Sequence, residues 1–316
     1  MKVLVSGSIA YDRIMDFPGR FADHILPDKL HILNVCFMIN GLKENFGGTA
    51  GNIAYCLALM DVTPTVIASA GRDFGPYSEW LKSVSIPVDN ITVHNDVLTA
   101  CAYITTDKSD NQITAFNPGA MNFKADPFDF GTVSINPEDT IAIVAPGNID
   151  DMLEFTRMYK DRGIRYIFDP GQSLPVWNGA QLREMIDGSW MFISNDYELE
   201  LTMTKADINV DDIGKMTKIL VTTRADQGSI VFCDGVTIEV PAVEAKKVCD
   251  PTGAGDAYRA GFIKGLSMPG GDLLHAARMG STAAAFVVEV YGTQNYKYDR
   301  AEFNRRFEAA FGKSGY

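Results

Sequence analysis

Residues 250 to 256 have the composition of an anion-binding turn that ends in a carboxylate, Asp-Pro-Thr-Gly-Ala-Gly-Asp. Gly253, Ala254 and Gly255 are small enough for backbone N–H groups to approach a charged ligand. A helix is predicted to begin at Asp256, so its unpaired N–H groups and the positive end of its dipole would face that ligand. Asp256 would then lie where it can take a proton from a hydroxyl group attacking phosphorus. The pattern indicates a phosphoryl-transfer site, and the alternative is a helix N-cap with Asp256 as the capping residue.

Composition restricts the partners of this chain. The 316 residues are 46% hydrophobic and 22% charged, which is ordinary for a globular protein with a large core. The formal net charge is −12, which opposes binding to a phosphate backbone, so no nucleic-acid partner is expected. An acidic protein that binds a nucleotide must gather positive potential locally, and the glycine turn offers it through backbone amides.

Cysteine usage and hydropathy bear on the compartment. The five cysteines are scattered, are odd in number and form no Cys-x-x-Cys pair, which favours a reduced cytoplasmic location. No apolar run reaches the length of a transmembrane helix, so no membrane partner is expected. Only four histidines occur, none with the spacing of a structural zinc site.

Short β-rich runs alternate with segments of helical periodicity, which predicts an α/β fold with a doubly wound, mainly parallel sheet. In such sheets ligands bind beyond the carboxyl ends of the strands. Asp12 follows the first predicted strand, and Asn195 follows the strand that starts at Met191. The predicted strands are Val3–Ser6, Thr65–Ala68, Ile141–Ala145, Tyr166–Phe168, Met191–Ser194, Ile219–Thr222 and Ile230–Cys233.

Three segments need separate treatment. Residues 14–46 are β-prone without a convincing helix, and residues 99–116 suggest two short strands joined by a turn from Asp107 through Asp110 to Asn111. Together they predict a small sheet, and the alternative is extra strands on the main sheet. A third segment, residues 272–290, predicts a helix rich in alanine and glycine whose small side chains favour close helix packing.

Two further motifs extend the pattern. Residues 47–52 read Gly-Gly-Thr-Ala-Gly-Asn, and residues 195–198 read Asn-Asp-Tyr-Glu. With the motif at residues 250–256, they resemble the signatures of the ribokinase-like (PfkB) family of carbohydrate and nucleoside kinases, in the family's order. The resemblance spans most of the chain and implies a ribokinase-like fold with a core (1–13, 47–98, 117–316) and a discontinuous β lid over the acceptor site (14–46, 99–116).

The resemblance assigns chemical roles to the motifs. Asp256 is implied to be the catalytic base, and the amides of Gly253, Ala254 and Gly255 to form an anion hole for the transferring group. Asn195 and Glu198 are implied to hold Mg²⁺ through water together with the phosphates of ATP. Taken alone, Asn195 and Glu198 also fit a helix cap with its N3 partner.

A nucleotide-binding turn is implied by residues 221–228, with Thr223 and Gly228 as contacts. Ala225 stands where a glycine is expected. No Gly-x-x-x-x-Gly-Lys-[Ser/Thr] run is present, which excludes a Walker A kinase, and Tyr258 interrupts a full Gly-x-Gly-x-x-Gly, which disfavours a dinucleotide-dependent oxidoreductase. In the family, the long helix after residue 272 lies against the adenine of ATP.

For the acceptor, the resemblance implies that Asp12, Gly48 and Asn52 bind hydroxyl groups of a sugar ring. Phe116 in the predicted lid and Gln172 lie in stretches similar to the microbial adenosine and nucleoside kinase branch, and Phe116 would pack on a purine. The expected reaction is ATP-dependent transfer to the 5′-hydroxyl of a nucleoside, adenosine first. The alternatives are a ribokinase- or fructokinase-like sugar kinase and a non-catalytic ligand-binding relative.

Two weaker implications concern a monovalent cation and assembly. In ribokinase-like enzymes backbone carbonyls near the positions of Asp250 and Gly292 can hold a monovalent cation. The resemblance therefore leaves open a K⁺ site in addition to Mg²⁺. Exposed strands of a lid can also pair with a second subunit, which predicts a homodimer.

Overall fold

A computed structural model describes residues 1–109, 111–126, 135–312 and 316. Asp110 of the predicted turn lies outside these residues. A nine-stranded sheet has the order β13-β12-β11-β10-β9-β8-β1-β4-β5, parallel except at β12 and β13, which pair antiparallel. Its strands are β1 Lys2–Ser6, β4 Thr65–Gly71, β5 Ile91–His94, β8 Thr140–Val144, β9 Arg165–Phe168, β10 Met191–Asn195, β11 Ile219–Thr223, β12 Ser229–Cys233 and β13 Val236–Val240.

Helices cover both faces of this sheet. Successive residues of one strand alternate between the faces: Val3 and Val5 belong to one buried hydrophobic cluster, and Leu4 belongs to the other. The first cluster is covered by α1 Thr49–Leu59, α2 Gly75–Ser83, α7 Ala254–Ser267, α8 Leu273–Val287 and α9 Arg300–Phe311. The second is covered by α3 Ile149–Asp161, α4 Gly179–Ile186, α5 Asp196–Ala206 and α6 Val210–Met216. The predicted doubly wound fold is confirmed.

A second, four-stranded sheet has the order β3-β2-β6-β7, with β2 Ala10–Asp16, β3 Leu42–Gly47, β6 Ala100–Thr106 and β7 Gln112–Asn117. β2 pairs antiparallel with β3 and parallel with β6. The two β-prone segments therefore form a sheet of their own, as expected, and not extra strands of the main sheet. β2 begins at Ala10, whereas the predicted lid began at residue 14.

Small residues bring α7 and α8 into close backbone contact. A Cβ atom on Gly261 would lie 2.5 Å from the Met279 carbonyl oxygen, and one on Gly265 would lie 2.6 Å from the Cα of Ala276. Ala276 itself is fully buried. The small side chains of α8 therefore serve helix packing against α7, the helix that begins at the glycine turn.

Candidate active site

A cleft of about 720 Å³ lies between the small sheet and the carboxyl ends of the main strands. Seven of the residues singled out from the sequence line it: Asp12, Gly48, Asn52, Phe116, Gln172, Gly253 and Asp256. These residues come from positions separated by more than 200 residues in the chain, and the fold brings them to one place.

Asp256 lies in the first turn of α7 and faces the cleft. Its Oδ2 atom accepts a hydrogen bond of 2.8 Å from Nδ2 of Asn52 on α1. Burial raises the pKa of Asp256 to about 7, and the charge of Arg259 and the Asn52 hydrogen bond oppose that rise. A carboxylate whose pKa lies near neutrality is suited to accept a proton at neutral pH.

The glycine turn in front of α7 has one donor fewer than predicted. Gly253 adopts φ +82°, which favours glycine, and stands at the N-cap of the helix. The N–H of Ala254 donates to the Pro251 carbonyl at 3.2 Å, so the helix start itself uses this amide. Asp250 fixes the preceding loop, since its carboxylate accepts from the N–H groups of Thr252 and Gly292 at 2.9 and 3.2 Å.

A buried ion pair supports this turn from behind. Arg259, one helical turn after Asp256, contacts Asp169 at the end of β9 through Nε at 2.5 Å and Nη2 at 2.7 Å. The two residues are only 6% and 1% exposed. A Cβ atom on Gly255 would lie 2.6 Å from Nη1 of Arg259, so Gly255 leaves room for the guanidinium group. The pair connects the end of β9 to the start of α7.

Asp12 does not follow the first strand of the main sheet, as the sequence suggested. β1 ends at Ser6, and Asp12 lies within β2 of the small sheet, opposite Asn45 of β3. The prediction was wrong because a short turn separates the two β-prone runs, and periodicity does not reveal which sheet a strand joins. Burial and, to a smaller extent, the nearby charge of Asp250 raise the pKa of Asp12 to about 6.

Gly48 and Gly47 are required by the backbone around them. Gly48 adopts φ +86° at the N-cap of α1, and a Cβ atom there would lie 2.5 Å from the Ser8 carbonyl oxygen. A Cβ atom on Gly47 would lie 2.6 Å from Oδ2 of Asp12. Gly48 thus allows α1 to approach the turn between β1 and β2, and Gly47 makes room for the Asp12 carboxylate.

The other cleft residues differ in exposure. Phe116 on β7 is 52% exposed, and Gln172, in the turn after β9, is exposed as well. Both line the cleft, on the side of the small sheet and of β9 respectively. Because Phe116 is exposed, it presents an aromatic face that is available to a planar ligand.

Asn195 and Glu198 form a reciprocal capping box at the start of α5. Asn195 Oδ1 accepts from the Glu198 N–H at 2.7 Å, and Glu198 Oε2 accepts from the Asn195 N–H at 2.8 Å. Asn195 and Glu198 therefore do form the helix cap that was the alternative interpretation of this motif. The charge of Glu198 nevertheless acts on Asp256, since it raises the pKa of that carboxyl group. Across the residues that the structure describes, no group of three His, Cys, Asp or Glu side chains converges as a metal site.

Thr223 and Gly228 lie outside the acceptor cleft, and Thr223 lies next to Asn195. Thr223 ends β11 directly opposite Asn195 in the parallel register. Gly228 adopts φ +85°, and a Cβ atom there would lie 2.0 Å from the Val240 carbonyl oxygen. Ala225, where the family resemblance led us to expect glycine, adopts φ +47°, a conformation that is strained for alanine. The backbone form expected of this turn is thus retained despite the substitution.

Three residues near the base were not found from the sequence: Arg259, Gln294 and Trp80. Arg259 pairs with a residue 90 positions away, and Gln294 hydrogen-bonds to Asn52 and Trp80 over more than 200 positions. The only sequence signals were a cation inside an apolar helical stretch and a polar residue before Asn-Tyr, which are too common to interpret.

A buried carboxylate with a pKa near neutrality and a helix-start turn that faces the same cleft are the elements needed to move a phosphoryl group to a hydroxyl group. The class that the fold and the site define is therefore a small-molecule phosphotransferase.

Comparison with known proteins specifies the class. The profile of the pfkB family carbohydrate kinases matches residues 26–299, and this chain belongs to that family. It is similar to a nucleoside kinase of Methanocaldococcus jannaschii, with 32% identity over 83% of this chain and 85% of the relative. A nucleoside kinase of Methanothermobacter thermautotrophicus is 30% identical over 98% of this chain and 96% of its own.

Solved structures agree. The nucleoside kinase of Burkholderia thailandensis in complex with inosine superposes with a TM-score of 0.85 at 37% identity, covering 99% of both chains. Its complex with ADP-inosine has a TM-score of 0.84 at 38% identity and covers 99% of this chain and 97% of that one. The resemblance to the ribokinase-like family, and within it to nucleoside kinases, is confirmed, as is the enzyme class of ATP-dependent phosphotransferase.

Within residues 1–109, 111–126 and 135–312, no helix has both the length and the apolar character needed to cross a bilayer.

Proposed function

We propose that this chain transfers the γ-phosphoryl group of ATP to the 5′-hydroxyl group of a nucleoside, with adenosine as the first candidate. The observation that carries the proposal is that Asp256 and the turn at Gly253 line the same cleft as Asp12, Gly48 and Asn52. The cleft thus combines a base beside a helix start with groups able to bind a ribose.

The proposed step is a single in-line displacement. The 5′-oxygen attacks the γ-phosphorus of ATP, its proton passes to the carboxylate of Asp256, and the bond from that phosphorus to the β–γ bridging oxygen breaks. The products are a nucleoside 5′-monophosphate, ADP and a protonated Asp256, which then releases its proton to solvent. A pKa of about 7 for Asp256 supports this role, because the group can accept and return a proton near neutrality.

The anion hole that we propose uses the amides of Gly253 and Gly255. Ala254 belongs to the turn through its backbone, and its own N–H is bonded to the Pro251 carbonyl. The guanidinium group of Arg259 lies behind Gly255 and adds positive potential at the helix start. Removing one such donor commonly costs 10² to 10³ in kcat in other enzymes.

We propose that Mg²⁺ accompanies ATP and that Glu198 and Asn195 hold it through water. The donor set fits, since Glu198 binds its cap with Oε2 and retains Oε1, and Mg²⁺ commonly uses one or two carboxylates together with substrate phosphates. Mg²⁺ would neutralise charge on the phosphates. Thr223, beside Asn195, and Gly228 are proposed nucleotide contacts. A K⁺ requirement near Asp250 stays a prediction that replacing K⁺ with choline would test.

The acceptor end favours a nucleoside over a free sugar. Phe116, Met121 and Val176 give the cleft apolar surface beyond the proposed ribose groups, and Gln172 adds an amide. A base can pack on Phe116, whereas a free sugar has no group that needs this surface. The inosine complex of the Burkholderia thailandensis relative supports a purine nucleoside. We propose that the small sheet, which extends beyond the sequence-based bounds 14–46 and 99–116 to include Ala10 and Asn117, acts as the lid over the acceptor.

The experiment is an acceptor panel with γ-labelled ATP and Mg²⁺. Adenosine, inosine, guanosine, cytidine, ribose and fructose are compared by kcat/KM, with Asp256→Asn as the inactive control. We expect transfer to nucleosides, with a kcat/KM that exceeds that for ribose by at least about 100-fold, because a free sugar cannot make the contacts of a nucleobase. Transfer to ribose or fructose but to no nucleoside would replace the proposal with a sugar kinase, and transfer to none of them would favour a binding protein.

Two further expectations accompany the function. We propose a homodimer through the edge of the small sheet at β7, which is exposed along its whole length. Light scattering tests it, and a monomer would reject it. We also propose a cytoplasmic location, supported by five cysteines that are all free thiols.

A further inference from the structure

A directional chain of hydrogen bonds runs from a tryptophan on α2 to the base. Trp80 Nε1 donates to Gln294 Oε1 at 2.9 Å, Gln294 Nε2 donates to Asn52 Oδ1 at 3.1 Å, and Asn52 Nδ2 donates to Asp256 Oδ2 at 2.8 Å. Gln294 is only 2% exposed and Asn52 only 7%. The chain is thus shielded from water along most of its length.

The polarity of this chain is determined by its two ends. The indole N–H of Trp80 can only donate, so it must face the carbonyl oxygen of the Gln294 amide, and an ionised carboxylate can only accept. Each amide in between therefore has a single orientation that satisfies both neighbours. Tyr77 reinforces it: its hydroxyl donates to the Gly47 carbonyl at 2.8 Å and accepts the second N–H of Gln294 at 2.5 Å.

We propose that Trp80 and Gln294 are positioning residues that hold the Asn52 amide with its NH₂ group toward Asp256, so that Oδ2 of the base is occupied and Oδ1 receives the proton of the acceptor hydroxyl. The inference rests on the proposed kinase function. If the Gln294 amide rotated by half a turn, its oxygen would face Asn52, and Asn52 would then turn its own oxygen toward the carboxylate. The base would lose a donor and gain a repulsive neighbour.

The effect on proton uptake has a definite sign. The Asn52 hydrogen bond lowers the pKa of Asp256 against the larger rise from burial, so losing it raises that pKa and moves the pH–rate curve to higher pH. The other titratable groups near Asp256 are Arg259 on α7, Asp169 after β9, Glu198 on α5, Cys56 on α1 and Tyr77 on α2. Substitutions at Trp80 leave all of them in place.

The test is Trp80→Phe, which removes the indole donor and keeps an aromatic ring. That ring packs against Phe46 and Tyr55, with centroids 5.9 and 5.8 Å apart. We expect the midpoint of the kcat–pH curve to rise by about one unit and kcat at pH 6.5 to fall several-fold, because a hydrogen bond to a charged group contributes that much. The KM for ATP is expected to stay unchanged, since no contact with the glycine turn is altered.

The matched control is Trp190→Phe, because Trp190 is also a half-buried tryptophan, lies under the Arg165 guanidinium group and does not line the cleft. Gln294→Met serves as a second variant that removes both the oxygen and the NH₂ group of the amide. It should raise the midpoint of the kcat–pH curve at least as far as Trp80→Phe does. If either variant is less stable but retains the native midpoint, the chain is only structural and the proposal is rejected.

The pKa of Asp256 can also be measured without turnover, from the ¹³C carboxyl resonance that disappears in Asp256→Asn. If the titration midpoint of this resonance moves to higher pH in Trp80→Phe, the proposal is supported, and an unchanged midpoint rejects it. If the wild-type protein phosphorylates no acceptor but the titration midpoint still moves in Trp80→Phe, the proposed function fails and the role of the hydrogen-bond chain stands.

Discussion

Replacing Arg259 by methionine tests two roles of one ion pair. Arg259 and Asp169 lie 2.5 Å apart at Nε and Oδ2 and are almost fully buried. Removing one member of such a pair leaves an uncompensated buried charge and costs about 3 to 5 kcal/mol. With an unfolding entropy of roughly 2.1 cal/mol/K per residue over 316 residues, this cost lowers the melting temperature by about 5 to 8 °C.

Removing one or the other member of this pair should move the pKa of Asp256 in opposite directions. The charge of Arg259 lowers that pKa and the charge of Asp169 raises it. Arg259→Met should therefore move the kcat–pH curve to higher pH, and Asp169→Asn should move it to lower pH. The double variant should recover part of the lost stability, because no unpaired charge remains buried, and should keep a net alkaline shift, because Arg259 has the larger influence.

The assays are thermal unfolding by circular dichroism and kcat between pH 5 and 9 for the two single variants and the double variant. Arg157→Met is the control, since Arg157 forms a similar two-bond pair with Glu184 but at 58% side-chain exposure, and its loss should cost less than about 1 kcal/mol. Shifts of the same sign in both single variants, or equal destabilisation in Arg157→Met, would refute this reasoning.

Three other outcomes are expected. Asp256→Asn should lower kcat by about 10² to 10⁴, with ADP affinity retained in calorimetry. It should also stabilise the protein by at most about 4 kcal/mol at pH 8 but hardly at pH 4. The reason is that the folded protein holds this proton up to a pKa of about 7, whereas the unfolded chain releases it near 3.8. Ala225→Gly should raise stability in urea by up to about 1 kcal/mol, since alanine there has φ +47°. Gly48→Ala should be more destabilising than Gly235→Ala, because both glycines have positive φ but only a Cβ at Gly48 meets the Ser8 oxygen, at 2.5 Å; equal losses would mean that φ alone matters.

Much of the main sheet could be predicted because its evidence is local. Val3 to Ser6 and Met191 to Ser194 are short apolar runs bounded by polar residues, and both are strands close to the predicted bounds. The start of α7 was also visible, since its glycine turn needs a backbone conformation that few other residues adopt. β5 and β13 were not predicted, because each has a single buried residue and mixes polar with apolar side chains, so neither forms an apolar run.

The environment of the base was beyond the reach of sequence patterns. That Asp256 would face Asn52 follows from two motifs sharing a cleft, but the orientation of the Asn52 amide depends on Gln294, which lies 242 positions away. The ion pair of Arg259 likewise requires a partner at the end of another strand. Such contacts are set by tertiary packing, and no periodicity reports on them. The same holds for Ala254, whose N–H is used by a backbone contact that composition does not reveal.

The chemistry and the stability of this protein are opposed at one point. Burial raises the pKa of Asp256 toward neutrality, which suits a base, but a carboxyl group held in this way makes the folded state less stable as the pH rises. Arg259 and Asn52 each reduce that cost by favouring the charged form, and both are themselves held by buried partners, Asp169 and Gln294. Because these contacts offset only part of the rise caused by burial, the pKa of Asp256 stays near 7. A site without these contacts would be protonated and idle at neutral pH, and a more exposed site would have a carboxylate too weakly basic to accept the proton.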